Sequence, residues 1–300
     1  KAAAAAYDVI SNPDLNYSLD NDYGAYFQGN RNLSSRETIY VVRREPSNTM
    51  ERNNYPIATP GGASGVTPTQ NLVEAYEWVG EPVAGDPYAN RDPRLAASVV
   101  TNGSTWNGRV IDQAPGGTDD MSSPNASKTG YYLKKFLTDN LNLTQGAKAQ
   151  HNWVAYRYAE VLLNYAEAMN EAYGPDQAPG DYTLTALDAL QLVRDRASLQ
   201  LPPVTASSRD EFREAVKHER RIELAFEDHR YWDLLRWKDA MEVLNKPVRG
   251  VKVAKAGEGK WSYTPVEVAT RTFLERNYYM PFTRSEVENS NHTLEQNPGY

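Results

Sequence analysis

Between residues 153 and 244 the apolar residues recur with the period of an α-helix, and the recurrence breaks at Gly174-Pro175 and at Leu201-Pro202-Pro203. Apolar side chains three and four apart share one helical face, which must be buried against another element. Tyr158, Val161, Leu162, Tyr165, Met169 and Ala172 make one such stripe, on a helix that opens near Asn152 and that Gly174-Pro175 stops. A second helix, from about Thr183, carries Leu184, Leu187, Leu190 and Ala197, with Val193 near the edge. A third opens at Ser208, where Ser208 and Glu211 form a capping-box pattern, and its stripe is Phe212, Ala215, Val216, Ile222 and Phe226. A fourth runs from about Tyr231 to Leu244 and stops before Pro247. The layout predicts two stacked helical hairpins over 151–245. Such pairs cannot bury their outer faces alone, so further hairpins are expected as neighbours. Residues 1–10 (KAAAAAYDVI) read as the end of another helix, which implies that an N-terminal part of the protein precedes them.

The remaining segments follow no helical period. Residues 11–150 alternate Tyr, Asn, Asp and Gly with short apolar patches, and they predict an irregular, loop-rich region. Thr38 to Arg43 is β-branched and aromatic and predicts a short strand, while residues 95–111 are strand-like around Asn102-Gly103, a hairpin signal. Residues 246–300 predict an extended C-terminal segment. A hydrophobic content of 40% is enough for one core, and a mean hydropathy of −0.68 fits long polar loops around it. The fold class expected is mainly α: tetratricopeptide-like hairpins, a large irregular region and a few short strands.

Several chemistries find no footing. The net charge is −7, with no basic run, which argues against nucleic acid. With no cysteine there is no disulfide, thiolate metal site or cysteine nucleophile. His218 and His229 are not completed into a zinc set, and HExxH is absent; His151 and His292 are isolated and predict surface positions. The loop carboxylates Asp86, Asp92, Asp112, Asp119 and Asp120 lack EF-hand spacing and read as solvated. Gly61-Gly62-Ala63-Ser64-Gly65 has neither the GK[ST] of a phosphate loop nor the setting of a nucleophile elbow. No cofactor or metal is predicted. No apolar run is long enough to span a bilayer, and the start lacks the apolar core of a secretory signal.

The charged run Glu219, Arg220, Arg221, Glu223, Glu227, Asp228, Arg230, Asp233 and Arg236 has the spacing of ion pairs across a helix surface and between hairpins. An arginine beside each carboxylate would lower its pKa, the wrong direction for a general acid. The aromatics divide in two. Trp153, Tyr156, Tyr158, Tyr165, Trp232 and Trp237 fall on predicted helices and read as packing residues. Tyr55, Trp78, Tyr88, Trp106, Tyr131 and Tyr132 fall on or beside loops, where a ring can offer its plane to the C–H face of a sugar. Asn102 and Asn107 bracket Trp106, and Asn90, Arg91 and Asp92 follow Tyr88. The candidate ligand residues are therefore Trp106, Trp78 and Tyr88 for stacking, and Arg91, Asn102 and Asn107 for hydroxyl contacts.

Two helical segments, WVAYRYAEVLLNYAEAMNEAYG (153–174) and HERRIELAFEDHRYWDLLRW (218–237), with the closing MPFTRSEVENSNHTLEQNPGY (280–300), resemble the SusD/RagB family. Thr67 to Val73 with Ala75-Tyr76-Glu77, Asp86-Pro87-Tyr88, Arg91 to Leu95 and Tyr131 to Phe136 look like the segments that come before them in that family. Asp228 is a departure, since relatives often have glycine there. The resemblance implies a scaffold of four tetratricopeptide-like hairpins, of which this chain would hold the last two. It further implies non-catalytic capture of a glycan or oligosaccharide at the outer-membrane surface and delivery to a SusC-like TonB-dependent transporter. The membrane would be reached only through an N-terminal lipid anchor outside this chain. Peptide cargo, as in RagB-like relatives, a pure protein-interaction scaffold and a glycosidase using loop carboxylates are the alternatives.

Overall fold

The computed structural model describes residues 1–291 and 293–300; His292 lies outside the described residues. In chain order the principal elements are helix α1 (Ala2–Ser11), strand β1 (Thr38–Val42), strand β2 (Trp153–Arg157), helices α2 (Tyr158–Tyr173), α3 (Ala186–Arg194), α4 (Arg209–Glu223) and α5 (His229–Trp237), and strands β3 (Val248–Gly257) and β4 (Lys260–Ala269). The architecture is mainly α with short strands and long loops.

Helix α2 is the hub. It packs against α1, α3 and α4, and its Leu162, Leu163, Tyr165, Ala166 and Met169 are fully buried with Leu190, Val193, Phe212 and Val216. Each large side chain so buried stabilises the fold by about 1.5–3 kcal/mol before entropy is counted. The helix starts are fixed locally. Ser208 accepts the Glu211 N–H while Glu211 reaches back to the Ser208 N–H, and Thr185 with Asp188 forms a second capping box at α3. That second cap starts α3 at Ala186, so Val193 lies in the core and Ala197 falls beyond the helix, exposed.

Three boundaries differ from the sequence expectation. Trp153–Arg157 is a strand, not the first turn of a helix. Its β-branched and aromatic residues pair antiparallel with β1, and Arg157 still has extended φ and ψ as the chain enters α2. The fourth helix is interrupted at Lys238, whose φ is +63, and resumes as a short helix at Ala240–Leu244. The segment after Pro247 is not extended to the C-terminus: β3 and β4 form a long antiparallel hairpin that pairs Val253 with Tyr263 and Lys255 with Trp261. Val251 and Val253 enter a core with Val73, Tyr76, Leu95 and Tyr131. At Gly250 the hairpin meets the 127–131 loop so closely that a Cβ would lie 2.6 Å from the Thr129 Cα, and Val251 N–H donates to the Thr129 carbonyl at 2.9 Å. Only glycine permits that approach.

The predicted hairpin signal also shifts. The two-residue turn is Asn107-Gly108, with φ +51 and +72, joining Thr105–Trp106 to Arg109–Val110. Positive φ at both central positions is the twist a tight hairpin requires. Asn102-Gly103 lies just before it, in a turn where Gly103 N–H donates to the Ile111 carbonyl.

Part of the charged run, Glu219, Arg220, Glu223, Glu227 and Asp233, is buried, while Asp228 and Arg236 stay exposed and Arg236 pairs with Glu167 on the neighbouring helix. Glu223 is fully enclosed and holds Arg94 (2.9 Å), Arg157 (2.7 Å) and Arg196 (2.9 Å). Arg157 also reaches Glu37 and Glu227, each at 2.7 Å, and Arg94 joins Asp92 and Glu219. Lys135 completes the cluster on Glu227 at 2.7 Å. The principal partners thus come from loops, from β2 and from beyond α3, not from the helix's own arginines. Burial alone would raise the Glu223 carboxyl, but Arg196, Arg157 and Arg94 pull it well below the ordinary value, and Arg157 with Lys135 does the same for Glu227. These groups are locked as anions. His151, expected on the surface, is half-buried with its Nε2 3.0 Å from the Glu51 carboxylate.

Candidate ligand-binding cavity

Where the β3–β4 hairpin faces the loops at 84–89 and 101–104 there is a cavity of about 590 Å³. Tyr88, Trp261 and Tyr263 supply its rings, and Asp86, Asn102, Ser104 and Lys260 its polar groups. Trp261 and Tyr263 are two apart on β4, so a strand's alternation sends both to one face. Each ring is braced. Tyr88 meets Tyr263 edge-to-face at 5.3 Å and Tyr131 at 6.0 Å, and its hydroxyl donates to Tyr131 at 3.3 Å. Trp261 donates from Nε1 to Asp112 at 3.1 Å, and its six-membered ring lies against Gly103, where a Cβ would be 3.3 Å away. Asn102 donates from Nδ2 to the Tyr263 hydroxyl at 3.2 Å and accepts the Gln113 N–H at 2.8 Å. Asp86 accepts the N–H groups of Tyr88 and Ala89, which fixes the loop that carries Tyr88. Burial pushes the Tyr88 hydroxyl well above its ordinary pKa, helped by its tyrosine neighbours, and raises that of Tyr263, so both stay neutral. Rigid aromatic planes beside neutral hydroxyl and amide groups can hold a polar, ring-shaped ligand.

Of the residues singled out from sequence, Tyr88 and Asn102 meet in this cavity and the others do not. Trp106 is a correction. It is only 4% exposed, packed with Tyr55, Val100, Ile111, Tyr132 and Leu137 and edge-to-face with Tyr55. Lys134 lies over its ring at 5.5 Å, so it has no open plane to offer. Its small polar neighbours suggested exposure, but they only form the turn that tucks it inward. Asn107 is held in that turn, donating from its backbone to Asp139 and from Nδ2 to Thr59. Trp78 is 38% exposed on a different cavity, with the Arg91 guanidinium 4.0 Å over one face. Arg91 itself donates to the carbonyls of Pro87 and Tyr76, each at 2.7 Å, and so braces the loop. Tyr55, Tyr131 and Tyr132 are buried. Trp261 and Tyr263 escaped the sequence reading. The signal was present, as the alternation in Trp261-Ser262-Tyr263-Thr264 after the Gly257-Glu258-Gly259 turn.

The family model for SusD matches residues 24–300. The chain belongs to the SusD family. It is similar to a SusD-like protein of Bacteroides fragilis (27% identity, TM-score 0.82, covering 99% of this chain and 61% of that one). A SusD-like carbohydrate-binding protein from the same species matches with 28% identity and a TM-score of 0.78, over 95% of this chain and 59% of that one. Among curated proteins, SusD-like protein P2 of Formosa agariphila is 24% identical over 100% of this chain and 56% of its own length. The chain thus spans less than two thirds of the length of these relatives. No described helix is long and apolar enough to cross a membrane.

Proposed function

We propose that this chain captures a glycan or oligosaccharide without altering it, in the cavity walled by Tyr88, Trp261 and Tyr263. The carrying observation is the pairing of Trp261 and Tyr263 on one strand face with hydrogen-bonding groups, neutral and charged, around them. Sugar C–H faces stack on the rings, while Asn102, Ser104, Asp86 and Lys260 bond the hydroxyls. The non-catalytic reading is supported by the carboxylates. Among the described residues on this wall Asp86 is the one acid, whereas glycoside hydrolysis generally uses a pair. Family membership supports the wider setting: a lipid-anchored protein at the outer-membrane surface that passes its cargo to a SusC-like TonB-dependent transporter. Several weak subsites adding along a polymer would supply the avidity.

The test is isothermal titration against a polysaccharide panel, with Trp261→Ala and Tyr88→Ala measured on the best ligand. Each is expected to weaken binding at least tenfold, about 1.4 kcal/mol. Unchanged affinity in both variants overturns the site. Hydrolysis of the bound glycan overturns the non-catalytic reading.

A further inference from the structure

The buried cations of the central cluster are matched to carboxylates: Arg94, Arg157, Arg194, Arg196, Arg220 and Lys135 all have one within 3 Å. Arg221, on α4, and Arg230, on α5, are not. Among the described residues neither makes an ion pair. Arg221 donates to the Asn71 carbonyl at 2.5 Å, and among the described residues the Arg230 guanidinium makes no side-chain hydrogen bond. Both line a cavity of about 570 Å³ formed by α4, α5 and the start of β3, and they meet again on a neighbouring cavity.

The surrounding charges are already committed. Arg249 holds Glu74, Lys246 holds Glu242 at 2.8 Å, and Lys217 holds Glu214 at 3.1 Å and Asp239 at 2.8 Å. Arg271, on the same wall and exposed, is a third guanidinium without a carboxylate among the described residues. Leu72, Phe226, Leu234 and Val243 line the apolar remainder. Two half-buried like charges on one cavity wall are costly unless an anion neutralises them. The effect registers on Arg230, which burial, with Arg221 adding to it, pushes down to about 10 even though Asp233, Asp239 and Glu214 pull the other way. A guanidinium fork matches a planar or tetrahedral oxyanion bidentately.

We propose that this cavity is a binding site for an oxyanion, the carboxylate or sulfate group of a small ligand, gripped by Arg221 and Arg230 with Arg271 at its mouth. It shares no lining residue with the aromatic cavity, so the two proposals stand or fall separately.

The test is thermal denaturation and calorimetry of the protein with sodium sulfate, sodium glucuronate or glucose, at ionic strength held constant with sodium chloride. Sulfate or glucuronate is expected to raise Tm saturably in the millimolar range, and the tighter of the two identifies the preferred group; glucose is expected to do nothing. Arg230→Gln should lose at least tenfold in anion affinity, yet melt no lower than the parent in chloride, because it removes a half-buried charge that makes no ion pair among the described residues. A merely structural arginine would instead lower Tm equally with and without sulfate. Arg271→Gln, at an exposed position, keeps the fold and should lose about threefold. The proposal is overturned if neither anion gives a saturable shift, or if the shift is the same size in parent, Arg230→Gln and Arg271→Gln.

Discussion

The central ion cluster and the aromatic cavity are built from the same kinds of residue, loop side chains against helices and strands, but with opposite outcomes. At Glu223 the charges are enclosed and paired, with three arginines on one carboxylate. At Tyr88, Trp261 and Tyr263 the rings are braced at their edges and the cavity between them stays open. Polar chemistry taken out of water holds this fold together, and polar chemistry left at the water's edge is where binding is placed. Low dielectric makes a matched buried network stiff and an unmatched one costly.

The comparison breaks most visibly at Arg157. Arg157→Met leaves Glu37, Glu223 and Glu227 each short of a partner, and urea denaturation should show a loss of about 3–5 kcal/mol. Trp106→Ala should cost a similar amount, about 3–5 kcal/mol, because the ring is core; glycan affinity per folded molecule should be unchanged. Trp261→Ala should do the reverse, with a small change in stability and a large loss of binding. If Trp106→Ala weakens binding while leaving Tm intact, the division drawn between the two regions is wrong.

Acid sharpens it further. Folding lowers the pKa of Glu223 and Glu227, so the native state holds fewer protons than the unfolded chain. The stability they contribute is present above the ordinary value of 4.5 and is lost as pH falls toward their folded values. Glu77, beside His218 and Arg194 and held at about 2, follows the same sign. Denaturation midpoints measured from neutral pH downward should therefore fall steeply below 4.5, and less steeply in Arg157→Met. The smallest effect is expected at Asp228, whose φ is +65 at the start of α5. Asp228→Gly should raise stability by up to about 1 kcal/mol, and a bulky β-branched residue there should lower it.

The amino-acid sequence was sufficient for the buried stripes and caps of the helices, though not for where the first of them starts or the last breaks. The stripe through Leu162, Tyr165 and Met169 and the box of Ser208 with Glu211 depend on residues within a turn or two of each other, and helix geometry alone turns that spacing into a face or a cap. Family motifs at 153–174 and 218–237 carried the fold class. Tertiary structure decided the rest. Arg157 and Arg94 find Glu223 across 66 and 129 residues of chain, and no local period records such a meeting. The same holds for which rings stay open: Trp106 and Trp261 have similarly polar neighbours in sequence, but the first is folded into a core by distant residues and the second is left on the wall of a cavity. Spacing is set by the backbone over a few ångströms, whereas burial is set by everything the chain brings back on top.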